Sequence, residues 1–333
     1  MAKTSNNKKK KSSRPTYSKV CAALAKRATF GMKPGLDRVR AAWEALGRPL
    51  ADKAIIHVAG TNGKGSTVAF VTSILNKHGV RCGHFTSPHM HNLLERIGFD
   101  TNYINKQTFT RVASKVLAVS DELTFFEVLT LTAFSIFEEV PIDVAIIEVG
   151  LGGTLDATNI IDATMCIIAE VSLDHEDILG PGIESIARNK AGIIKPSSTV
   201  ISTWQTDTVR TILVDKAREC EADIIHVADR ASVAEAMQSS MDLDPGQLTM
   251  YEGFECTVDI HDAAGKLQTI TVPASTRWNV ECFAQNICTA IVASDIALKS
   301  LSPRFHTRSA KDEDIPHKVL DPELVAETIA GIS

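Results

Sequence analysis

The order of apolar and polar residues along the chain predicts strands and helices in alternation. Compact apolar runs rich in β-branched residues are typical of buried strands, and we expect strands at residues 54–59, 80–85, 143–149, 163–169, 199–203 and 223–227. Segments with apolar residues along one face predict helices at residues 17–29, 37–46, 64–77, 106–119, 126–139, 183–194, 207–221 and 280–298. This alternation indicates an α/β fold, in which helices flank a mostly parallel sheet.

One part of the chain departs from this alternation. Residues 255–260 and 267–272 flank the turn-forming stretch Asp-Ala-Ala-Gly at 262–265, which is typical of a β-hairpin. The hairpin falls in a segment at about 228–275, where no helix is predicted. We therefore expect it to be a small insertion before the last long helix.

The two ends of the chain differ from the middle. Residues 1–16 form a basic tail that we expect to be disordered, because like charges repel one another. Residues 300–333 are polar, with one short helix expected at 322–329. We expect one main domain over 17–299, and a linker at 300–333 that is too short to be a second domain.

Composition and charge narrow the class of protein. The 333 residues are 44% hydrophobic, 23% charged and 5% aromatic, which is typical of globular proteins. The first 36 residues hold ten Lys and Arg and no acid, so the rest of the chain is acidic and unsuited to binding nucleic acid. No apolar run approaches the roughly 20 residues that cross a bilayer, so we expect no membrane partner.

The cysteines and the tail bear on location. Seven scattered cysteines, none in a CxxC pair, indicate neither a disulfide framework nor a zinc site, and they favour a reducing compartment. The tail lacks the apolar stretch of a secretion signal, and it is poor in arginine for a transit peptide. We expect a cytoplasmic protein, and a mitochondrial location stays open.

The strongest chemical signal is a glycine-rich loop between a predicted strand and a predicted helix, Gly60-Thr61-Asn62-Gly63-Lys64-Gly65-Ser66-Thr67. Glycines allow the backbone to close around a phosphate, while backbone N–H groups, the helix N-terminus and a lysine attract its charge. The general pattern GxxxxGK[ST] is not met, because Val58 occupies the position of its first glycine and Gly65 follows the lysine. The sequence predicts a variant nucleotide-binding loop, with a purely structural turn as the alternative.

Three further residues could carry chemistry near this loop. Glu148 ends a predicted buried strand, where a carboxylate is suited to holding Mg²⁺ together with substrate phosphates. His175 follows another strand and could bind a metal or transfer protons, or it could be structural, with Asp174 capping a short helix. Lys190 lies within a predicted helix, where a solvated lysine is the ordinary interpretation.

Seven segments, in this order, resemble the folylpolyglutamate synthase and dihydrofolate synthase family of the Mur ligase superfamily. They are HVAGTNGKGST (57–67), FTSPH (85–89), ERI (95–97), TFFEVLT (124–130), EVGLGGTLDATN (148–159), LDHEDILG (173–180) and IARNKAGIIKP (186–196). The resemblance covers the chain from about residue 30 to residue 298 and includes the variant loop. It implies a P-loop-type Mur ligase ATP-binding domain that carries the predicted hairpin as an insertion.

The activity that the resemblance implies is ATP-dependent amide ligation. ATP would phosphorylate a pterin-linked carboxylate, and the amino group of L-glutamate would attack the acyl phosphate. The implied partners are dihydropteroate or folate and L-glutamate, the implied cofactors are ATP and Mg²⁺, with K⁺ open, and a monomer is expected. The motifs lean slightly toward dihydrofolate synthase or a bifunctional ligase, and folate polyglutamylation stays open.

The resemblance also assigns roles to single residues. The ATP loop matches Gly60, Thr61, Asn62, Gly63, Lys64, Gly65 and Ser66, with Lys64 on the phosphates. Ser87 and Glu148 match the ligands of one Mg²⁺, and His175 and Lys190 match the ligands of a second, Lys190 only if it is carbamylated. The implied catalytic residues are Lys64, Glu148, His175 and Lys190. Substrate-binding segments match Thr86, Pro88, Phe125, Phe126 and Glu127, although the last three fit ordinary helix packing as well.

Two departures from the family pattern leave alternatives open. Asn279 stands near the expected adenine-side segment, with Cys282 or Asn286 in place of a later asparagine. The chain ends where the C-terminal domain of the family would begin, and we expect that domain to be required. A truncated, non-catalytic paralogue that binds ATP or pterin, or acts only with a partner domain, is the alternative to a ligase. A cell-wall Mur ligase fits residues 85–89 and 124–130 less well.

Overall fold

The computed structural model describes residues 15–29, 31, 34–239, 250–261, 265–274, 281–305 and 319–332. Most of the basic tail and Asn279 lie outside the described residues. The division of the chain into a tail, a main domain and a linker stays a prediction.

The helices and strands follow one another in the alternation expected from the sequence. The helices are α1 (Tyr17–Ala28), α2 (Asp37–Ala45), α3 (Lys64–Lys77), α4 (Lys106–Leu117), α5 (Phe125–Glu139), α6 (Glu176–Leu179), α7 (Gly182–Ala191), α8 (Asp207–Glu219), α9 (Glu281–Phe305) and α10 (Pro322–Ile332). The strands are β1 (Ala54–Ala59), β2 (Cys82–Phe85), β3 (Ile97–Phe99), β4 (Asn102–Tyr103), β5 (Val144–Glu148), β6 (Met165–Ile168), β7 (Thr199–Ser202), β8 (Asp223–His226), β9 (Ala231–Ser239), β10 (Met250–His261) and β11 (Leu267–Ala274). Both β1 and α3, which flank the glycine-rich loop, begin and end at the predicted residues.

The main sheet has eight strands in the order β4-β3-β2-β5-β1-β6-β7-β8. The strands from β2 to β8 in this order pair in parallel, whereas β3 and β4 are antiparallel additions at one edge. The predicted α/β class with a mostly parallel sheet is confirmed. Sequence reasoning missed β3 and β4, because they are too short to give a periodic pattern.

Helices cover both faces of this sheet, so successive residues of its central strands enter two different cores. In β1, Ile55 and Ala59 pack in a core with α1, α2, α4, α5, α7 and α8. Ile56 and Val58 pack on the opposite face, with α3, α9 and α10. Every residue of β1 and β5 is buried as a result, which explains why both strands are continuous apolar runs.

A second, three-stranded antiparallel sheet has the order β11-β10-β9. The predicted hairpin is present as β10 and β11, with Cys256 opposite Val272. The additional strand β9 was not predicted, because its sequence ASVAEAMQS lacks a clear apolar alternation. Cys256 and Val272 are buried in the same core as α9, so α9 lies between the two sheets.

Helix α9 is longer than predicted. It extends to Phe305, past the expected boundary at 299. Among the described residues, no helix combines the length and the apolar character needed to cross a membrane.

The core around α5 offers a test of the fold. Phe134 is fully buried in this helix, so we expect Phe134→Ala to lower the free energy of unfolding by about 3–5 kcal/mol. Tyr103→Ala is the control, because Tyr103 is 61% exposed on β4 and its loss should cost less than about 1 kcal/mol. Urea denaturation of both variants measures the difference, and equal costs would contradict this packing.

Candidate functional site

The glycine-rich loop is held in shape by the loop that follows β6. The Thr61 and Asn62 backbone N–H groups donate to the Glu170 carbonyl oxygen (2.6 and 3.3 Å). The Thr61 hydroxyl donates to the Ser172 carbonyl oxygen (3.0 Å) and accepts from the Ser172 N–H (3.1 Å). The protein therefore fixes the path of the loop through its own hydrogen bonds.

Two glycines in the loop are required by close approach of neighbouring elements. A Cβ atom at Gly60 would lie 2.7 Å from the Cβ of Ala169. Gly63 has a φ of 79°, in the left-handed region, and a Cβ atom there would overlap the side-chain amide of Asn286. Asn286, from α9, is thus the asparagine that the structure brings to the loop.

Two lysines converge on this loop. The Lys64 ammonium donates to the carbonyl oxygens of Gly60 (3.1 Å) and Thr61 (3.0 Å). The Lys190 ammonium, from α7, donates to the same Gly60 oxygen (2.8 Å) and is only 3% exposed. Burial, together with the charge of Lys64, lowers the pKa of Lys190 to about 8. The ordinary interpretation of Lys190 as a solvated lysine is therefore wrong, because α7 packs against the loop.

Glu148 is a buried carboxylate at the carboxyl end of β5. It is 3% exposed, and its Oε2 atom accepts a hydrogen bond from the Ser87 backbone N–H (2.9 Å). Burial raises its pKa to about 7, although Ser87, Lys64 and Arg96 favour the ionised form. A Cβ atom at Gly65 would lie 3.7 Å from Oε2, so the glycine after the lysine leaves the space before this carboxylate open.

His175 occupies the N-cap position of α6, with left-handed backbone angles (φ 51°, ψ 39°). The alternative in which Asp174 caps this helix is wrong. The His175 side chain is half exposed, with Nε2 3.4 Å from Asp174 Oδ2. Within the described ranges, no three His, Cys, Asp or Glu side chains are grouped so that they could hold a metal. A metal at Glu148 or His175 would therefore need further ligands besides these four types of side chain.

Many of the predicted site residues border one cavity of about 570 Å³. Its walls include the predicted phosphate and metal residues Lys64, Ser87 and His175, and the predicted substrate residues Pro88, Phe125, Phe126 and Glu127. Glu148 and Thr86 border an adjoining cavity of about 330 Å³, which Ser87 and Pro88 share. Lys190 contacts the glycine-rich loop through Gly60 and borders neither of these two cavities.

The two aromatic residues and Glu127 have structural contacts of their own. A Cβ atom at Gly150 would overlap the Phe126 ring, so that ring packs directly on the backbone after β5. Glu127 forms a capping box with Thr124 and accepts a hydrogen bond from Arg38 (2.9 Å). Helix packing therefore accounts for the buried side of Glu127, even though it borders the cavity.

Sequence reasoning did not single out Asp156 and Arg96, which also border the cavity. Asp156 is buried and accepts hydrogen bonds from the backbone N–H groups of Leu151 and Thr158 (both 2.9 Å), and burial raises its pKa. The Arg96 guanidinium lies over the Phe125 ring, with Cζ 5.6 Å from the ring centroid. The only signal for these residues was their position inside the matching segments 148–159 and 95–97.

Strand β1 is followed by the glycine-rich loop and by helix α3, which begins with a lysine, and a buried carboxylate lies on β5, the neighbour of β1 in the sheet. This arrangement defines an α/β domain of the P-loop type. The chain belongs to the Mur ligase family, whose middle-domain model matches residues 58–293.

Similar proteins agree with this assignment. The chain is 40% identical over 185 residues to a dihydrofolate synthase/folylpolyglutamate synthase of Bacillus subtilis, a match that covers 53% of this chain and 43% of the relative. It is similar to a structure of Mycobacterium tuberculosis folylpolyglutamate synthase complexed with ADP and AMPPCP (TM-score 0.71, 26% identity, 94% of this chain and 66% of that one). It is also similar to E. coli FolC in complex with DHPP and ADP (TM-score 0.67, 27% identity, 92% and 67%). The chain spans less than half the length of the curated relative.

His57 lies in β1, shortly before the glycine-rich loop, and its burial predicts that the stability of the fold depends on pH. It is fully buried in β1, its Nε2 atom lies 2.8 Å from the Thr158 hydroxyl, and burial lowers its pKa to about 3. The folded state excludes the charged ring. The contribution of His57 to the free energy of unfolding is therefore fully present above about pH 6.5, and it is lost as the pH drops toward 3. Between pH 7 and pH 5, wild type should lose about 2 kcal/mol of unfolding free energy relative to His57→Gln.

Urea denaturation at pH 5, 6 and 7 measures this difference. His91→Gln is the control for replacing a histidine by glutamine, because the His91 side chain is 89% exposed. Parallel pH profiles for wild type and His57→Gln would contradict the prediction.

Proposed function

We propose that this chain carries the ATP-binding part of a ligase that joins L-glutamate to a pterin-linked carboxylate through an acyl phosphate. The observation that carries the proposal is one cavity bordered both by Lys64 of the phosphate loop and by the aromatic residues Phe125 and Phe126. Such a ligase must hold a flat apolar substrate and a phosphate donor in the same space, because the reacting atoms have to meet in line.

The named relatives support this choice of substrates. The B. subtilis relative is named as a dihydrofolate synthase/folylpolyglutamate synthase, and the M. tuberculosis structure holds ADP and AMPPCP. The chain spans only part of the length of these proteins, and we propose ATP, the pterin-linked acid and L-glutamate as its own substrates. The proposal covers both dihydropteroate and folate as acceptors.

ATP would bind with its phosphates on the glycine-rich loop and the N-terminus of α3. Lys64 is the first residue of this helix, and its ammonium would exchange its carbonyl partners for phosphate oxygens. Asn286, which lies against Gly63, would contact the nucleotide from α9. Lys64 would stabilise the charge that spreads over the phosphate oxygens during transfer.

Glu148 and Ser87 suit one Mg²⁺ ion. Mg²⁺ prefers oxygen ligands. Burial raises the pKa of Glu148 to about 7, and a bound cation would offset the cost of keeping this carboxylate ionised. When bound, Mg²⁺ would neutralise phosphate charge during the transfer. We assign a second ion to His175 and Lys190, the latter as a carbamate. A pKa of about 8 leaves part of the Lys190 amine neutral, and the neutral amine is the form that adds CO₂.

Lys64→Ala tests the nucleotide site. Because Lys64 would make charge-assisted hydrogen bonds to phosphate, we expect the affinity for Mg²⁺-ATP to fall at least about tenfold. Lys77→Ala is the control, since Lys77 lies in the last turn of the same helix. The measurement is nucleotide binding, because the C-terminal domain of the family is expected to be required for turnover. Unchanged ATP affinity in Lys64→Ala would count against the proposal.

Glu148→Gln tests the metal site without measuring turnover. Mg²⁺ should raise the thermal midpoint of the wild-type chain with ADP above that with ADP alone, because a bound ligand stabilises the folded state. In Glu148→Gln this increment should be lost, while binding of metal-free ADP is kept. Glu219→Gln, which changes an exposed carboxylate on α8, should behave as wild type. An equal increment in all three proteins would show that Glu148 does not hold the ion.

A further inference from the structure

Arg96 is a buried cation inside the cavity that borders the phosphate loop. It ends a short 3₁₀ helix (Leu93–Arg96) and is 8% exposed. Its carbonyl oxygen accepts a hydrogen bond from the Thr86 N–H (2.9 Å), which ties its backbone to the end of β2. The position of Arg96 is therefore set by the sheet.

Two contacts fix the orientation of its guanidinium. The Nε atom donates to the His89 Nδ1 atom (2.8 Å), and the group lies over the Phe125 ring, 5.6 Å from its centroid. This stacking is favourable for arginine, whose planar cation is weakly hydrated. The two Nη groups hydrogen-bond to no residue that the structure describes. A buried guanidinium with unused donors is suited to an anionic ligand.

The surroundings of Arg96 indicate which anion this is. The cavity that it borders also contacts Phe126, Lys64 and Ser87. An aromatic acid that lies along the phenylalanine rings would bring its carboxylate between Arg96 and the phosphate loop. A guanidinium binds a carboxylate through two parallel hydrogen bonds, so the pair would fix both oxygens.

We propose that Arg96 binds the carboxylate of the pterin-linked aromatic acid and presents it to the phosphate donor. This proposal rests on the proposed ligase function. One carboxylate oxygen attacks the γ-phosphorus of ATP and forms a new O–P bond. The bond from that phosphorus to the bridging oxygen breaks, and ADP leaves with the electron pair. Arg96 holds the other oxygen, so it selects acids over neutral analogues.

The test compares two ligands on the 333-residue chain, dihydropteroate and its primary carboxamide. Wild type should bind the acid about tenfold or more tightly than the amide, because the charged pair adds strong hydrogen bonds. Arg96→Gln should bind both ligands equally, and Arg96→Lys should recover only part of the preference. ATP affinity and the thermal midpoint, measured on each variant, report whether the variants fold.

Arg48→Gln is the matched control. Its guanidinium also lies over an aromatic ring, 5.0 Å from the centroid of Trp43, but it does not border the cavity. This variant should keep the full preference for the acid.

The possible outcomes separate this inference from the ligase function. If wild type binds ATP and dihydropteroate but does not distinguish the acid from the amide, the role of Arg96 is overturned and the ligase function stands. If Arg96→Gln keeps the full preference for the acid over the amide, the role of Arg96 is likewise overturned and the ligase function stands. If wild type binds neither ATP nor either pterin, the proposed function and this inference are both overturned. The wild-type comparison decides between these results even if the Arg96 variants fail to fold.

Discussion

The pairing of β1 with β5 and β6 is the constraint on which the site depends. In this register Val58 lies opposite Glu148 on one side and Ile167 on the other. The parallel strands therefore end together, and the loop at 60–63 begins beside a carboxylate. A slip of one residue would turn Glu148 to the other face of the sheet, because side chains alternate along a strand. The two apolar cores prevent such a slip, since it would exchange their residues.

This register brings charged groups into a buried space where they favour ligands of opposite charge. Lys64 and Lys190 donate to the same carbonyl oxygen, so the charge of Lys64 raises the cost of charging Lys190. Glu148, nearby, loses hydration, and its pKa rises although Lys64 and Arg96 favour its ionised form. An anion at the two ammonium groups and a cation at the carboxylate would relieve both costs. The site is thus polarised before a ligand arrives, which is typical of groups that stabilise charge in a reaction.

The sequence was sufficient for the parts of the structure that depend on local pattern. β1 and α3 were predicted at their observed bounds, because an apolar run, a glycine-rich loop and an amphipathic segment follow one another directly. What depends on tertiary contact was missed. β9 owes its form to pairing with β10, and Lys190 is buried because α7 packs on Gly60. The cavity itself joins residues from segments far apart in the chain, so no local pattern predicts its walls.

The segment from Thr86 to Arg96 connects the two parts of the cavity. Its first residues contact the carboxylate, through the hydrogen bond from Ser87 to Glu148. Its last residue contacts the aromatic wall, through Arg96 and the Phe125 ring. The Thr86 N–H donates to the Arg96 carbonyl oxygen, so the two ends of the segment are hydrogen-bonded to each other. One segment thus supplies a group on the side of the glycine-rich loop and a group on the side where the aromatic rings lie.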